Sequence, residues 1–155
     1  MGAQCPPHEF IRIDIGMSLY REFPVISALA PYIECGWVLS PQPSENSESI
    51  NRIFPDGATD IVIASVEGAV AYRPTTAFRL IPGGVSMLGF RIRTGAAAAV
   101  LRVAPGELPP SPVSIRMLWG RQGSEVEERL LGESRPAIRA ALLQRLLTRR
   151  LADPG

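Results

Sequence analysis

The stretch Gly89-Phe90-Arg91-Ile92-Arg93-Thr94-Gly95 decides how the chain is read, because residues of strand type alternate there between two glycines and then run into the alanine-rich residues 96–101. It predicts a strand that delivers the chain to a helix. At strand period Phe90 and Ile92 face one way and Arg91 and Arg93 the other. One face is therefore core and the other is polar or holds a ligand. Two neighbouring guanidinium groups repel unless water, carboxylates or a bound anion compensate them, and Asp56 and Asp60 are the carboxylates expected to do so.

Upstream, residues 50–54 lead into Pro55-Asp56-Gly57, a turn in which proline fixes φ and glycine supplies a positive φ. Residues 60–66 form a β-branched run that reads as a buried strand. Glu67-Gly68 breaks it, residues 69–73 return, residues 77–81 follow a Pro-Thr-Thr connection, and Pro82-Gly83-Gly84 turns the chain towards residues 85–93. Further back, residues 9–15 alternate apolar with polar and end at Gly16, and Pro24 and Pro31 forbid a long helix between them. Residues 32–39 read as a strand with Ile33, Cys35, Trp37 and Leu39 on one face, followed by a polar loop at 40–49. About seven short strands at close spacing predict an antiparallel barrel or sandwich.

Downstream the character changes. Residues 95–103 favour a helix stopped by Pro105-Gly106, and residues 111–123 read as a short helix or packed loop. Ser124-Glu125-Val126-Glu127 has the form of a capping box for a helix running to Gly132. The last helix opens at Ser134-Arg135-Pro136 and carries Ile138, Leu142 and Leu146 at spacings of four, with Leu143, Leu147 and Leu151 alongside. Such a helix docks on its own sheet or pairs with another chain. The fold class is thus α+β: a strand-rich part at about 9–93, then a helical part at about 95–151, in one domain spanning 1–155.

The 155 residues are enough to bury roughly 70% of the unfolded surface in a single core. A formal net charge of +1 gives no overall attraction to nucleic acid or to a membrane. The start lacks the charged region and apolar run of a signal peptide, and no stretch approaches the ~20 apolar residues of a membrane helix, so a cytoplasmic location is expected. Cys5 and Cys35 are too few and too far apart for a disulfide framework, and Cys35 reads as a small buried hydrophobe.

Catalytic chemistry is thinly supplied. The single histidine, His8, cannot furnish the two or three imidazoles of a metal-dependent barrel enzyme, and a serine or cysteine nucleophile has a poor supply of bases, although Glu9, Glu34, Asp56 and Asp60 could act as acids or bases. Phosphate-loop, dinucleotide and nucleophile-elbow patterns do not occur. No enzyme activity, metal or cofactor is therefore expected. Arg91 and Arg93 admit two readings: they hold turn carboxylates such as Asp56 in place, or they recognise an anionic or polar effector inside a barrel lined by Tyr32, Trp37, Phe54 and Phe90. Arg139, Arg145, Arg149 and Arg150 read as a solvated helix face.

The order Leu29-x-x-Tyr32-Ile33-x-x-x-Trp37, Phe54-Pro55-Asp56-Gly57-x-x-Asp60-Ile61, Gly89-Phe90-Arg91-Ile92-Arg93-x-Gly95 and Leu118-Trp119-Gly120, followed by a Leu/Arg-rich helix, resembles the N-terminal domain of AraC/XylS-type bacterial transcription regulators. The resemblance runs from about Leu19 to Leu151 and departs at Thr94, where similar proteins often have proline. It implies a cupin-like barrel followed by helices, and a domain that senses a small-molecule effector, forms a homodimer through its C-terminal helices, or both. Similar proteins continue into a pair of helix-turn-helix units, for which residues 1–155 show no counterpart, so no direct DNA binding is expected. Tyr32, Trp37, Asp56, Arg91 and Arg93 are the candidate ligand-binding residues. The alternative is a cupin-like binding protein or enzyme outside transcription.

Overall fold

Strand β7 (Met87–Ile92) runs through the middle of the molecule, and every residue in it except Arg91 is buried. The computed structural model describes residues 18–41, 51–53, 58–64, 68–73, 78–80, 87–109 and 111–153. The expected strand at 9–15, most of the polar loop at 40–49, Phe54, and the turns at 55–57 and 82–84 lie outside the described residues.

β7 pairs antiparallel with β2 (Ile33–Pro41) on one side and β4 (Thr59–Ala64) on the other. β1 (Ser18–Phe23) extends the sheet beyond β2, while β5 (Gly68–Tyr72) and then β8 (Val113–Ser114) extend it beyond β4, all antiparallel. β3 (Asn51–Ile53) and β6 (Phe78–Leu80) form a separate two-stranded sheet. Among the described residues the six-stranded sheet is open, with β1 and β8 at its edges. The architecture is therefore α+β as expected, antiparallel sheets followed by C-terminal helices, and among the described residues the strands do not close into the barrel that the family resemblance implied.

Both faces of the large sheet are apolar, which explains the unbroken hydrophobic run of β4. Ile61, Ile63, Leu88, Phe90 and Ile92 face the helices and join Leu101, Ile115, Leu130, Leu143 and Leu147 in one core. Phe90 has no exposed surface, and burying such a side chain contributes roughly 2–3 kcal/mol. The opposite face carries Tyr20, Trp37, Leu39, Val62, Val70 and Met87 as a second cluster.

β2 departs from simple alternation. Ile33 pairs with Ile92 but Cys35 pairs with Arg91, so Glu34 is an extra residue at a bulge. Ile33 therefore joins the helix-side core, while Trp37 and Leu39 belong to the other cluster. The single face expected for Ile33, Cys35, Trp37 and Leu39 is divided by that one inserted residue.

After β7, Gly95 takes a φ of 88° and the chain enters α1 (Ala97–Leu101). The helix ends at Arg102, in the left-handed region, before the expected stop at Pro105-Gly106. α2 (Ile115–Leu131) is capped by Ser114, whose Oγ accepts from the Arg116 amide, and is kinked at Gly120, with φ 58° and ψ −131°. Ser124 consequently lies inside this run rather than at its start; its hydroxyl donates to the Gly120 carbonyl at 3.5 Å. The supposed capping-box glutamate, Glu127, is instead buried against β5. α3 (Pro136–Ala152) begins at the expected proline and buries Ala140, Leu143 and Leu147 against the chain's own core. No helix among the described residues is long and apolar enough to cross a membrane.

Candidate functional site

Arg91 sits on the sheet face opposite the helices, where its neighbours across the strands are Cys35 and Asp60. The central position of β7 holds its guanidinium largely out of water, so its charge must be met by protein groups. Glu22 Oε1 lies 3.4 Å from Nη1, Asp60 Oδ1 lies 3.9 Å from Nε, and Nη2 donates to the Tyr20 hydroxyl at 3.1 Å. That hydroxyl in turn donates to Glu22 Oε1 at 2.8 Å. Burial opposes the arginine's charge, but Tyr20 and Asp60 outweigh it and hold its pKa above the ordinary range. Burial pushes the Tyr20 phenol above its ordinary pKa; Arg91 pulls it down and the bond to Glu22 adds to the rise.

Trp37 borders this group. Its ring centroid is 5.9 Å from that of Tyr20, and its indole lies over Gly89, where any side chain would overlap it. Trp37 Nε1 is buried and has no hydrogen-bond partner among the described residues. The resulting patch combines a compensated cation, a phenol and an indole. Such a patch can hold a polar or anionic group only by displacing one of Arg91's present partners.

The other candidates lie elsewhere. Arg93 donates from its backbone N to Tyr32 O at 2.8 Å and from Nε to Ala30 O at 2.6 Å, pinning the turn before β2. Tyr32 packs against the helix-side core, as does Phe90, so neither shares a face with Trp37. The expected convergence of Tyr32, Trp37, Arg91 and Arg93 on one lining is thus corrected to Trp37 and Arg91 alone. Asp56 lies outside the described residues. Of the expected carboxylates Asp60 is near Arg91, and Glu22 joins it from β1. Nothing local to Glu22 signalled this role, because its partner is far along the chain and only the β1–β2–β7 pairing brings them together.

A second polar junction joins the helices. Arg102 Nη2 donates to the carbonyls of Arg150 and Asp153 at 3.2 and 2.6 Å, satisfying the last turn of α3. Trp119 Nε1 donates to Leu101 O at 3.3 Å. The Arg150 guanidinium lies 4.1 Å from the centre of the Trp119 ring, and its Nη1 donates to Gln122 Oε1 at 2.7 Å. Arg150 is therefore not on the solvated face expected for it, and Arg139 is also tied, through Nε to Glu133 O at 2.7 Å. Spacings of three and four in Trp119, Gln122 and Val126, and in Leu146 and Arg150, are the sequence signal of these facing stripes. Among the described residues no three His, Cys, Asp or Glu side chains gather as a metal site.

No curated protein and no solved structure matches the chain. A family model, Domain of unknown function (DUF6597), matches residues 21–114, from within β1 to the end of β8. Because that match takes in more than half of the chain, with the whole strand order from β2 to β8, Glu22, Asp60, Arg91 and α1, the chain belongs to the DUF6597 family.

Proposed function

We propose that this domain is the regulatory part of an AraC/XylS-type transcription regulator, acting in the cytoplasm and without catalysis of its own. Its sheet is a rigid platform, and α2 and α3 are the elements that respond to an effector, form a homodimer, or present an attached DNA-binding domain. The observation that carries this reading is that the motifs of the resemblance meet in space. Arg93 N donates to Tyr32 O, Trp37 covers Gly89, Asp60 lies beside Arg91, and Trp119 closes the end of α1. That these separated motifs pack on one another supports reading them as a single unit.

Regulation would follow from population shift: a ligand that prefers one arrangement of the helices changes how attached domains are held. Homodimerisation would draw on apolar surface that the helices leave exposed at Met117, Leu131 and Ile138. The test is native mass spectrometry of the purified chain under gentle and then denaturing conditions. A dimer, or a retained small molecule lost on denaturation, is the expected result. A bare monomer that also leaves the DNA affinity of an attached helix-turn-helix domain unchanged would overturn the reading.

A further inference from the structure

α2 and α3 flank an open cleft of about 540 Å³, within the size range of small-molecule sites. α2 lines it with Gln122, Glu125, Val126 and Arg129, and α3 with Leu146, Arg149 and Arg150. We propose that this cleft binds a small organic anion, its acidic group held by Arg129 and Arg149 and its apolar body seated against Val126, Leu146 and the Trp119 edge.

Three observations carry the proposal. Three guanidinium groups line the cleft against two carboxylates, Glu125 and Asp153. The side chains of Arg129 and Arg149 make no ion pair among the described residues, so their donors are available without breaking a contact. Arg150 is fixed on Trp119 and Gln122, yet its buried Nε has no hydrogen-bond partner among the described residues. Burial, with Arg102 beside it and only partly offset by Asp153, lowers the Arg150 pKa to about 10. Positive charge in the cleft is therefore under-compensated, and an anion would relieve it. The apolar residues that line the cleft beside the arginines favour an anion with a hydrocarbon body over a bare ion. The proposal does not depend on the regulatory reading, which says only what binding would be used for.

The test is calorimetric titration of the full chain with phenylacetate, phenyl phosphate, inorganic phosphate and phenethylamine. One of the two aromatic anions is expected to saturate a single site, and which binds more tightly distinguishes a carboxylate from a phosphoryl ligand. Phenethylamine should not bind, and inorganic phosphate should bind more weakly than phenyl phosphate. Arg129→Gln and Arg149→Gln, both at exposed positions, should each weaken binding about tenfold without lowering the melting temperature. Glu125→Gln should strengthen it. Absence of saturable binding by both aromatic anions would overturn the proposal. So would equal binding of phenethylamine or inorganic phosphate, or undiminished binding by both arginine variants.

Discussion

The indole of Trp37 lies so close over Gly89 that a Cβ at Gly89 would overlap its ring. The two residues are direct cross-strand partners, and on one flank the indole borders the Tyr20 ring, tilted 32° with centroids 5.9 Å apart. Gly89→Ala should destabilise the domain by about 1–3 kcal/mol, the usual range for overpacking, measured by urea denaturation. Combining it with Trp37→Leu should cost less than the sum of the two, because the smaller side chain removes the overlap. Additive costs would show that the glycine acts through its backbone alone.

Arg91→Met should cost about 3 kcal/mol, because it removes the guanidinium that faces the largely buried carboxylates of Glu22 and Asp60. Arg91→Lys should recover only part of this, since one ammonium cannot reach Glu22, Asp60 and Tyr20 together. Thermal melts of both variants check the order. A neutral Arg91→Met would mean that the carboxylates draw no net stabilisation from the guanidinium.

The pH dependence follows from Tyr20. Its folded pKa is raised, so above pH ~10 the unfolded chain releases a proton that the folded chain keeps, and stability falls as pH rises. Tyr72, raised by burial, acts in the same direction. Arg150 opposes both: its folded pKa is depressed, so the folded chain loses its proton first and stability gains as pH rises through about 10. The informative quantity is the difference between wild type and Tyr20→Phe. The variant should be less stable at neutral pH, having lost bonds to Glu22 and Arg91, and should lose less stability between neutral and strongly alkaline pH. Parallel profiles would remove Tyr20 from the account.

What could be read from the chain was what local pattern encodes. Phe90 and Ile92 against Arg91 obeyed strand alternation, and Gly95 before four alanines marked the passage from β7 to α1. Pro136 marked the start of α3. Three features were illegible for physical reasons. The bulge at Glu34 changes the face of every later residue without changing composition. Gly120 signals a helix stop, yet here the chain kinks and continues because both halves of α2 pack on one core. Glu22 owes its role to tertiary pairing, which no window of sequence contains, whereas the stripe that carries Arg150 shows in the helical spacing but its partner helix does not.

Glu127 joins α2 to the start of β5 and so braces helix against sheet. It is only 7% exposed; it accepts from the Ala69 amide at 3.0 Å and from Arg116 Nε at 2.5 Å. Gly68 makes the approach possible: its φ is 77°, and a Cβ there would stand 2.7 Å from Glu127 Oε2. Glu127→Ala should therefore destabilise by about 2–3 kcal/mol, stranding a buried amide and the inner side of Arg116. Gly68→Ala should cost about 1–2 kcal/mol from backbone strain plus the cost of displacing the carboxylate. Only the second part is removed in the double variant, so the pair should be less than additive. Hydrogen exchange gives the sharper check: the Ala69 amide should lose protection in Glu127→Ala while Ile61 and Phe90, deep in the same sheet, exchange with the global opening. If Ala69 remains as protected as they are, the hairpin is held by its β4 pairing and Glu127 is not its brace.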